Sequence, residues 1–208
     1  MRLRVGLLLV AILTVVAVPS FAQVTGAVKI GANFAKLTFE DDVDDETGST
    51  DMKSGFVVGA AVNVPIAPMF SFQPEFLYTQ KGGKNGALTD DDPDFDASIK
   101  IGMVQIPLLF KAGATEGPFR PFIVVGPAFG FVTSAKTKFE ADGFSEEDDI
   151  KDDVETVEVS GVFGGGIQFG RGILEYRYDH GFTNLDKEVD ASAKTKTHSI
   201  LFGFSFGG

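Results

Sequence analysis

The chain has 208 residues, with 25 glycines, 21 phenylalanines, no cysteine and no tryptophan, and a formal charge of −11. That length suits one β domain of ordinary size, and the lack of cysteine excludes both a disulfide framework and a thiol site. The negative charge argues against nucleic acid as a partner, because its phosphates would be repelled.

The first stretch, MRLRVGLLLVAILTVVAVPSFA, places Arg2 and Arg4 before an apolar core from Val5 to Val18. Ser20-Phe21-Ala22 then reads as a small-x-small cleavage site. This pattern predicts a secretory signal peptide over residues 1–22, cleaved near Ala22. The run is shorter than the ~20 apolar residues that a spanning helix needs. The remaining domain, 23–208, loses Arg2 and Arg4 and carries a formal charge of −13.

Eight alternating segments follow, at about 24–38, 53–64, 69–81, 97–112, 119–136, 154–169, 172–183 and 195–206. Period-two alternation of aromatic and β-branched residues predicts strands. In the second segment Phe56, Val58, Ala60, Val62 and Val64 share a face; in the third, Phe70, Phe72, Phe76 and Tyr78 do, opposite Ser71, Gln73 and Glu75. The sixth sets Val157, Val159, Phe163, Ile167 and Phe169 against Glu158, Ser160, Gly164, Gly166 and Gln168. The seventh sets Leu174, Tyr176 and Tyr178 against Glu175, Arg177 and Asp179, and the eighth sets Ile200, Phe202, Phe204 and Phe206 against Ser199, Gly203 and Ser205. The fourth and fifth alternate less cleanly. Pro74, Pro107, Pro121 and Pro127 fall inside segments, where each removes a ladder donor, so bulges or strand ends are expected there.

The connections alternate strictly between long and short, so all long ones fall at one end of an up-and-down barrel. Of 29 Asp and Glu, 24 lie in the long connections or the strand ends beside them. They include Asp41, Asp42, Asp44 and Asp45, then Asp90, Asp91 and Asp92, then Glu146, Glu147, Asp148 and Asp149. Long loops at one end and tight turns at the other is the layout of outer-membrane barrels. The small, polar faces carry too few charges for a water-exposed surface, which should be ~25–35% charged, but they suit the filled interior of an eight-strand barrel. The apolar residues Phe56, Val58, Val62, Phe72, Phe76, Phe163, Ile167, Tyr176, Ile200, Phe202 and Phe204 are therefore expected to face lipid. The expected fold is all-β, an eight-stranded antiparallel up-and-down transmembrane β-barrel.

Several stretches, VKIGANFAKL (28–37), SFQPEFLYTQKGG (71–83), VQIPLLFKAG (104–113), GPAFGF (126–131), LEYRYDHGFTNL (174–185) and HSILFGFSF (198–206), occur in order along the chain. Together they resemble the bacterial outer-membrane β-barrel domain family, often called PorT-like or porin family protein, with an OmpA-like eight-stranded barrel. The resemblance implies the outer membrane of a Gram-negative bacterium, with its lipid and lipopolysaccharide as surroundings and the barrel assembly machinery as a partner in biogenesis. One branch is associated with protein secretion. Outer-membrane barrels usually end on an aromatic residue, whereas here Gly207-Gly208 follow Phe206.

Lys29, Glu75, Lys111, Glu175 and Arg177 are expected to project inward. They would either line a pore for small solutes or form an ion-paired plug; the filled lumen of an eight-strand barrel favours the plug. Asp42, Asp44 and Glu46 have the spacing of a calcium loop, but Thr47 stands where glycine is required, which favours a solvated loop. His180 and His198 are expected as polar-tipped rings at the membrane boundary rather than a metal pair, with Tyr78, Tyr176 and Tyr178 in an aromatic girdle. The glycine run 161–166 sits inside a strand, not before a helix, so it is not a phosphate loop. Neither a catalytic constellation nor a cofactor site is expected. The predicted role is structural or interaction-based at the cell surface, through the acidic loops. A narrow porin and a soluble exported barrel binding an apolar ligand are the alternatives.

Overall fold

Alternation puts every second side chain of a strand on the same face, and a sheet with two dissimilar faces separates them by packing on another layer or by curling into a barrel. In a computed structural model, which describes residues 24–41, 47–85, 95–141, 144–152, 154–185 and 191–207, that curl is complete. The strands are β1 (Thr25–Asp41), β2 (Thr47–Ser49), β3 (Asp51–Ala67), β4 (Phe70–Lys84), β5 (Phe95–Gly113), β6 (Phe119–Ala141), β7 (Phe144–Asp149), β8 (Val157–Phe169), β9 (Gly172–Gly181) and β10 (Ala191–Phe206). Eight of them pair antiparallel in the order β10-β9-β8-β6-β5-β4-β3-β1. β1 then pairs with β10 from Gly26↔Phe206 to Asp41↔Ala191. The result is a closed, eight-stranded antiparallel barrel with no free sheet edge. Closure satisfies the wall's backbone N–H and C=O groups within the sheet, the condition a strand must meet in hydrocarbon.

Two short strands lie outside this ring: β2 pairs with β1, and β7 pairs with β6. β7 corrects one expectation. Glu146, Glu147, Asp148 and Asp149 do not sit on an irregular loop; β6 continues to Ala141 and β7 folds back on it as a hairpin. Asp41 is the last residue of β1. The predicted signal peptide, Asp42, Asp44, Asp45, Glu46 and Asp90–Asp92 lie outside the described residues.

At the opposite end the connections are short. β3 and β4 are joined through Pro68 and Met69, and β8 and β9 through Gly170 and Arg171. Gly170 has φ +54°, a left-handed conformation that costs glycine little and lets the chain reverse in two residues.

Pro74, Pro107, Pro121 and Pro127 lie inside strands and do not change the register, which corrects the expectation of bulges or strand ends at them; β3 and β4 do shift register beside Pro65, between Pro65↔Ser71 and Ala67↔Phe70. Pairing of β4 with β5 lapses between Pro74↔Leu108 and Leu77↔Gln105, and that of β5 with β6 lapses between Pro107↔Ala128 and Phe110↔Val125; each resumes in the same register. Proline removes a donor without adding a residue, so it weakens a ladder without shifting it. One register shift comes from an inserted residue. Gly102 pairs with Ser134 but Met103 with Val132, leaving Thr133 as the extra residue; its hydroxyl donates to the Gly102 carbonyl at 2.9 Å. This bulge flips the facing of β6, so Phe129 and Phe131 lie outside before it and Lys136 after it. It explains why alternation is least clean in these two segments.

The interior is layered. Ala27, Ala61, Leu109, Phe122, Val124, Ala128, Val162 and Ile173 form one buried apolar cluster, and Ile101, Met103, Val132, Ala135, Val154 and Leu185 another. Val57, Leu77 and Leu201 form a third. The buried polar residues lie among these.

Candidate functional site: charged lumen and apolar wall

Phe56, Val58, Val62, Phe76, Phe163, Ile167, Tyr176, Ile200, Phe202 and Phe204 are all exposed on the outside of the barrel. Phe72 is half-buried on the same face, with its ring centroid 5.7 Å from that of Phe110. Thirty large apolar residues are exposed among the described ones. Soluble monomers rarely expose contiguous apolar patches beyond a few hundred Å².

Inside, the even-numbered positions of β8 and odd-numbered positions of β9 and β1 converge. Glu75 on β4 accepts from Lys29 Nζ at 2.8 Å, from Arg177 Nη1 and Nη2 at 2.7 Å each, and from Gln73 Nε2 at 2.7 Å. Glu175 accepts from Lys29 Nζ at 2.7 Å and Arg177 Nε at 2.6 Å. Two cations and two carboxylates thus neutralise one another, with every charged group at most 5% exposed. The two-pronged Arg177–Glu75 contact uses the planar fork of guanidinium, which a lysine could not reproduce. Room for Arg177 comes from Gly164 on the neighbouring strand, where a Cβ would stand 2.4 Å from the Tyr176 carbonyl oxygen and 3.0 Å from Arg177 Cγ.

A second cluster lies nearer the long-loop end, and its centre was not foreseen from the sequence. Lys81 Nζ donates to Glu158 at 2.7 Å and Asp179 at 3.1 Å. Gln105 Nε2 donates to Asp179 at 2.7 Å, and the Thr195 hydroxyl donates to Glu158. Glu158 and Asp179 were assigned to the inner face, but Lys81 and Gln105 follow from no local pattern. They are found only when the register brings β4, β5, β8 and β9 together. Asn33 completes the polar set: its Nδ2 donates to Thr79 at 2.5 Å and its Oδ1 accepts from Ser199 at 2.8 Å. A small cavity of about 20 Å³ lies between the clusters, lined in part by Asn33, Lys81, Arg177 and Asp179. That is room for a single water.

Lys111 separates from the other four lumen residues. It is half-buried, its Nζ sits 4.1 Å from the Phe122 ring centroid, and no carboxylate lies within ion-pair distance among the described residues. Glu75 and Glu175 already face Lys29 and Arg177, and Lys111 instead faces the mouth at the short-turn end.

On the outer wall, the Tyr176 hydroxyl lies 2.7 Å from His198 Nδ1, and the Tyr178 hydroxyl 3.3 Å from His180 Nδ1. The rings of Tyr176, Tyr178, His180, His198 and Phe182 form a continuous aromatic band across β9 and β10. Toward the long-loop end from this band, lysines oppose one another across strands: Lys36↔Lys196 on β1 and β10, and Lys100↔Lys136 on β5 and β6. Lys136 also pairs with Glu147 of β7, both exposed. Their short, charge-assisted hydrogen bond holds the Glu147 carboxyl below the usual carboxylate range and the Lys136 amine above its own.

Solved structures of low identity align with much of the chain. Ail, the attachment invasion locus protein of Yersinia pestis, is 18% identical over 88% of this chain and 98% of its own, with a TM-score of 0.42. Neisserial surface protein A is 12% identical over 86% and 99%, with a TM-score of 0.42. The outer membrane protein OprG from Pseudomonas aeruginosa is 12% identical over 88% and 97%, with a TM-score of 0.43. No curated protein matches the sequence. Residues 21–187 match the family model described as outer membrane protein beta-barrel domain, and the chain belongs to that family.

Proposed function

We propose that the protein is a closed, non-enzymatic barrel of the Gram-negative outer membrane that acts at the cell surface by interaction rather than by conducting solutes. The observation that carries this reading is the neutral lumen cluster of Lys29, Glu75, Glu175 and Arg177. Its groups hold one another at 2.6–2.8 Å and fill the cross-section between apolar layers. A passing ion would have to break paired, buried charges, at several kcal/mol each. On this reading Phe56, Phe76, Phe163, Phe202 and their neighbours meet lipid. Lys36 and Lys196, opposed across β1 and β10 beside the aromatic band, would otherwise repel, and they suit the phosphates of lipopolysaccharide. The acidic segments beyond them are left to meet a partner.

Single-channel recording of the purified chain in planar bilayers tests this reading. The expected record is flat, and steady stepwise conductance through the wild-type chain would reject it in favour of a narrow porin. Cell fractionation tests the setting. The chain is expected with detergent-extracted membranes, and recovery in the aqueous fraction would favour the soluble barrel.

A further inference from the structure

The geometry points to a binding site for small oxyanions, carboxylate or phosphate in class, in the vestibule at the short-turn end of the lumen. This vestibule is open and encloses about 730 Å³; a second, small cavity lined by Thr25, Asn63, Lys111 and Gln168 leads from it toward Lys29 of the lumen cluster. Lys111 and Arg120 both line the vestibule. Lys111 has no carboxylate partner among the described residues, and its ammonium rests only on the Phe122 ring. The Arg120 guanidinium donates through Nη2 to the Gly170 carbonyl at 2.8 Å, and its buried Nε has no partner among the described residues. A guanidinium has five N–H donors in a planar fork, and one protein carbonyl uses a fraction of them.

The pairing deeper in the lumen makes this lack of acids informative. The chain has 29 acids to 18 Lys and Arg, and each buried cation of the two lumen clusters contacts two carboxylates. At the vestibule two cations line one wall, and neither has a carboxylate within ion-pair distance among the described residues. Around them Asn63, Ser71 and Gln168 add neutral polar groups. The Ser71 hydroxyl already donates to Asn63 Oδ1 at 2.7 Å, which leaves the Asn63 amide N–H groups as donors. Two cations with amide donors on the rim of an open cup suit a planar carboxylate or a tetrahedral phosphate, and the volume fits small ligands. Because the ion-paired cluster blocks the lumen deeper in, the anion enters and leaves from the turn end. This site stands whether or not the acidic segments bind a partner.

Calorimetry on the full chain, folded in micelles of an uncharged glucoside detergent, provides the test. Inorganic phosphate and acetate are titrated separately against chloride of matched ionic strength, and heat-modifiable gel migration reports folding. Saturable binding of at least one anion is expected, with affinity at least tenfold weaker in the Lys111→Gln/Arg120→Gln double variant. Phosphate binding without acetate binding assigns the cup to phosphate, and the reverse assigns it to carboxylates. If the double variant does not fold, Lys111→Arg is compared with Lys111→Gln; the first should keep wild-type affinity and the second should weaken it. Failure of both anions to outcompete chloride, or equal affinity in folded variants that lack the cations, would overturn the site.

Discussion

The two charged clusters of the lumen both set a buried lysine between two carboxylates but differ in balance. Nearer the short-turn end, Lys29 and Arg177 face Glu75 and Glu175, two charges of each sign. Nearer the long-loop end, Lys81 alone faces Glu158 and Asp179, and neutral Gln105 and Thr195 supply the remaining hydrogen bonds. The first cluster is a closed set in which removing any member exposes a buried charge. The second already carries one acid more than its cation can neutralise. The barrel therefore keeps electrostatic neutrality strict at one level and loose at another, and the same chemical change should have different effects at the two.

The sharpest break is Arg177→Met. It strips Glu75 of its two-pronged partner and Glu175 of its 2.6 Å donor while leaving both buried. Loss of one partner from a buried ion network costs about 3–5 kcal/mol. Urea unfolding from lipid vesicles should show that loss. A change under about 1 kcal/mol would mean that water reaches these carboxylates and that the plug is not dry.

Phe202→Lys sets the outer face against the inner one. Phe202 is exposed midway along the apolar stretch of β10 and pairs with Ile30 and Leu174. A lysine there has no partner, in contrast to Lys29 on the other side of the same wall. Near a bilayer midplane it should cost ~2–4 kcal/mol in the same vesicle assay. In a lipid-free setting the change should be close to neutral, so a cost near zero in vesicles would turn the wall assignment around.

The fold was largely legible because alternation specifies which face a residue takes, and the match of long and short connections specifies which end a loop takes. Both are local or nearly local properties. What alternation cannot specify is which residue of a distant strand lies opposite. Glu75, Glu175 and Arg177 could each be placed inside from their own segments, yet their mutual contacts depend on β4 and β9 approaching across the lumen. Lys81 shows the limit most clearly. It sits two residues beyond Thr79 on the buried face of β4, just before Gly82 and Gly83, and nothing nearby marks it as the centre of a network. Lys111 shows the complementary limit. It shares the inner face, but its place near the end of β5 puts it in the vestibule rather than in the ion cluster. The Thr133 bulge and the β6–β7 hairpin were hidden for a related reason, since an inserted residue or an acidic strand has no distinctive composition of its own.

Asp179→Asn probes the loose cluster directly. It removes the second acid on Lys81 while an amide oxygen can still accept from Gln105. Balance improves and hydrogen bonding is nearly retained, so stability should change by less than about 1 kcal/mol. Glu75→Gln, the matching change in the strict cluster, leaves Arg177 and Lys29 sharing one carboxylate and should cost several times more. Equal costs from the two substitutions, measured side by side in vesicles, would remove the distinction between the clusters.

The smallest effect lies outside the barrel ring, at the β6–β7 hairpin. Lys136 and Glu147 are both exposed, so their contact stabilises only the hairpin, and salt weakens it. Because the hydrogen bond and charge of Lys136 hold the Glu147 carboxyl below its ordinary range, the folded hairpin favours the ionised form. That contribution is fully present above the ordinary carboxylate pKa of about 4.3 and is lost as pH falls through the lower value of the folded state. Amide exchange along β7 should therefore quicken below about pH 4 relative to neutral pH, after correction for intrinsic rates, while exchange in β9 and β10 stays unchanged. In Glu147→Gln the pH dependence at β7 should flatten. If the wild-type hairpin shows no such dependence, or if β9 responds equally, the pair is not what orders this extension, and the cross-strand ladder of β7 with β6 is sufficient by itself.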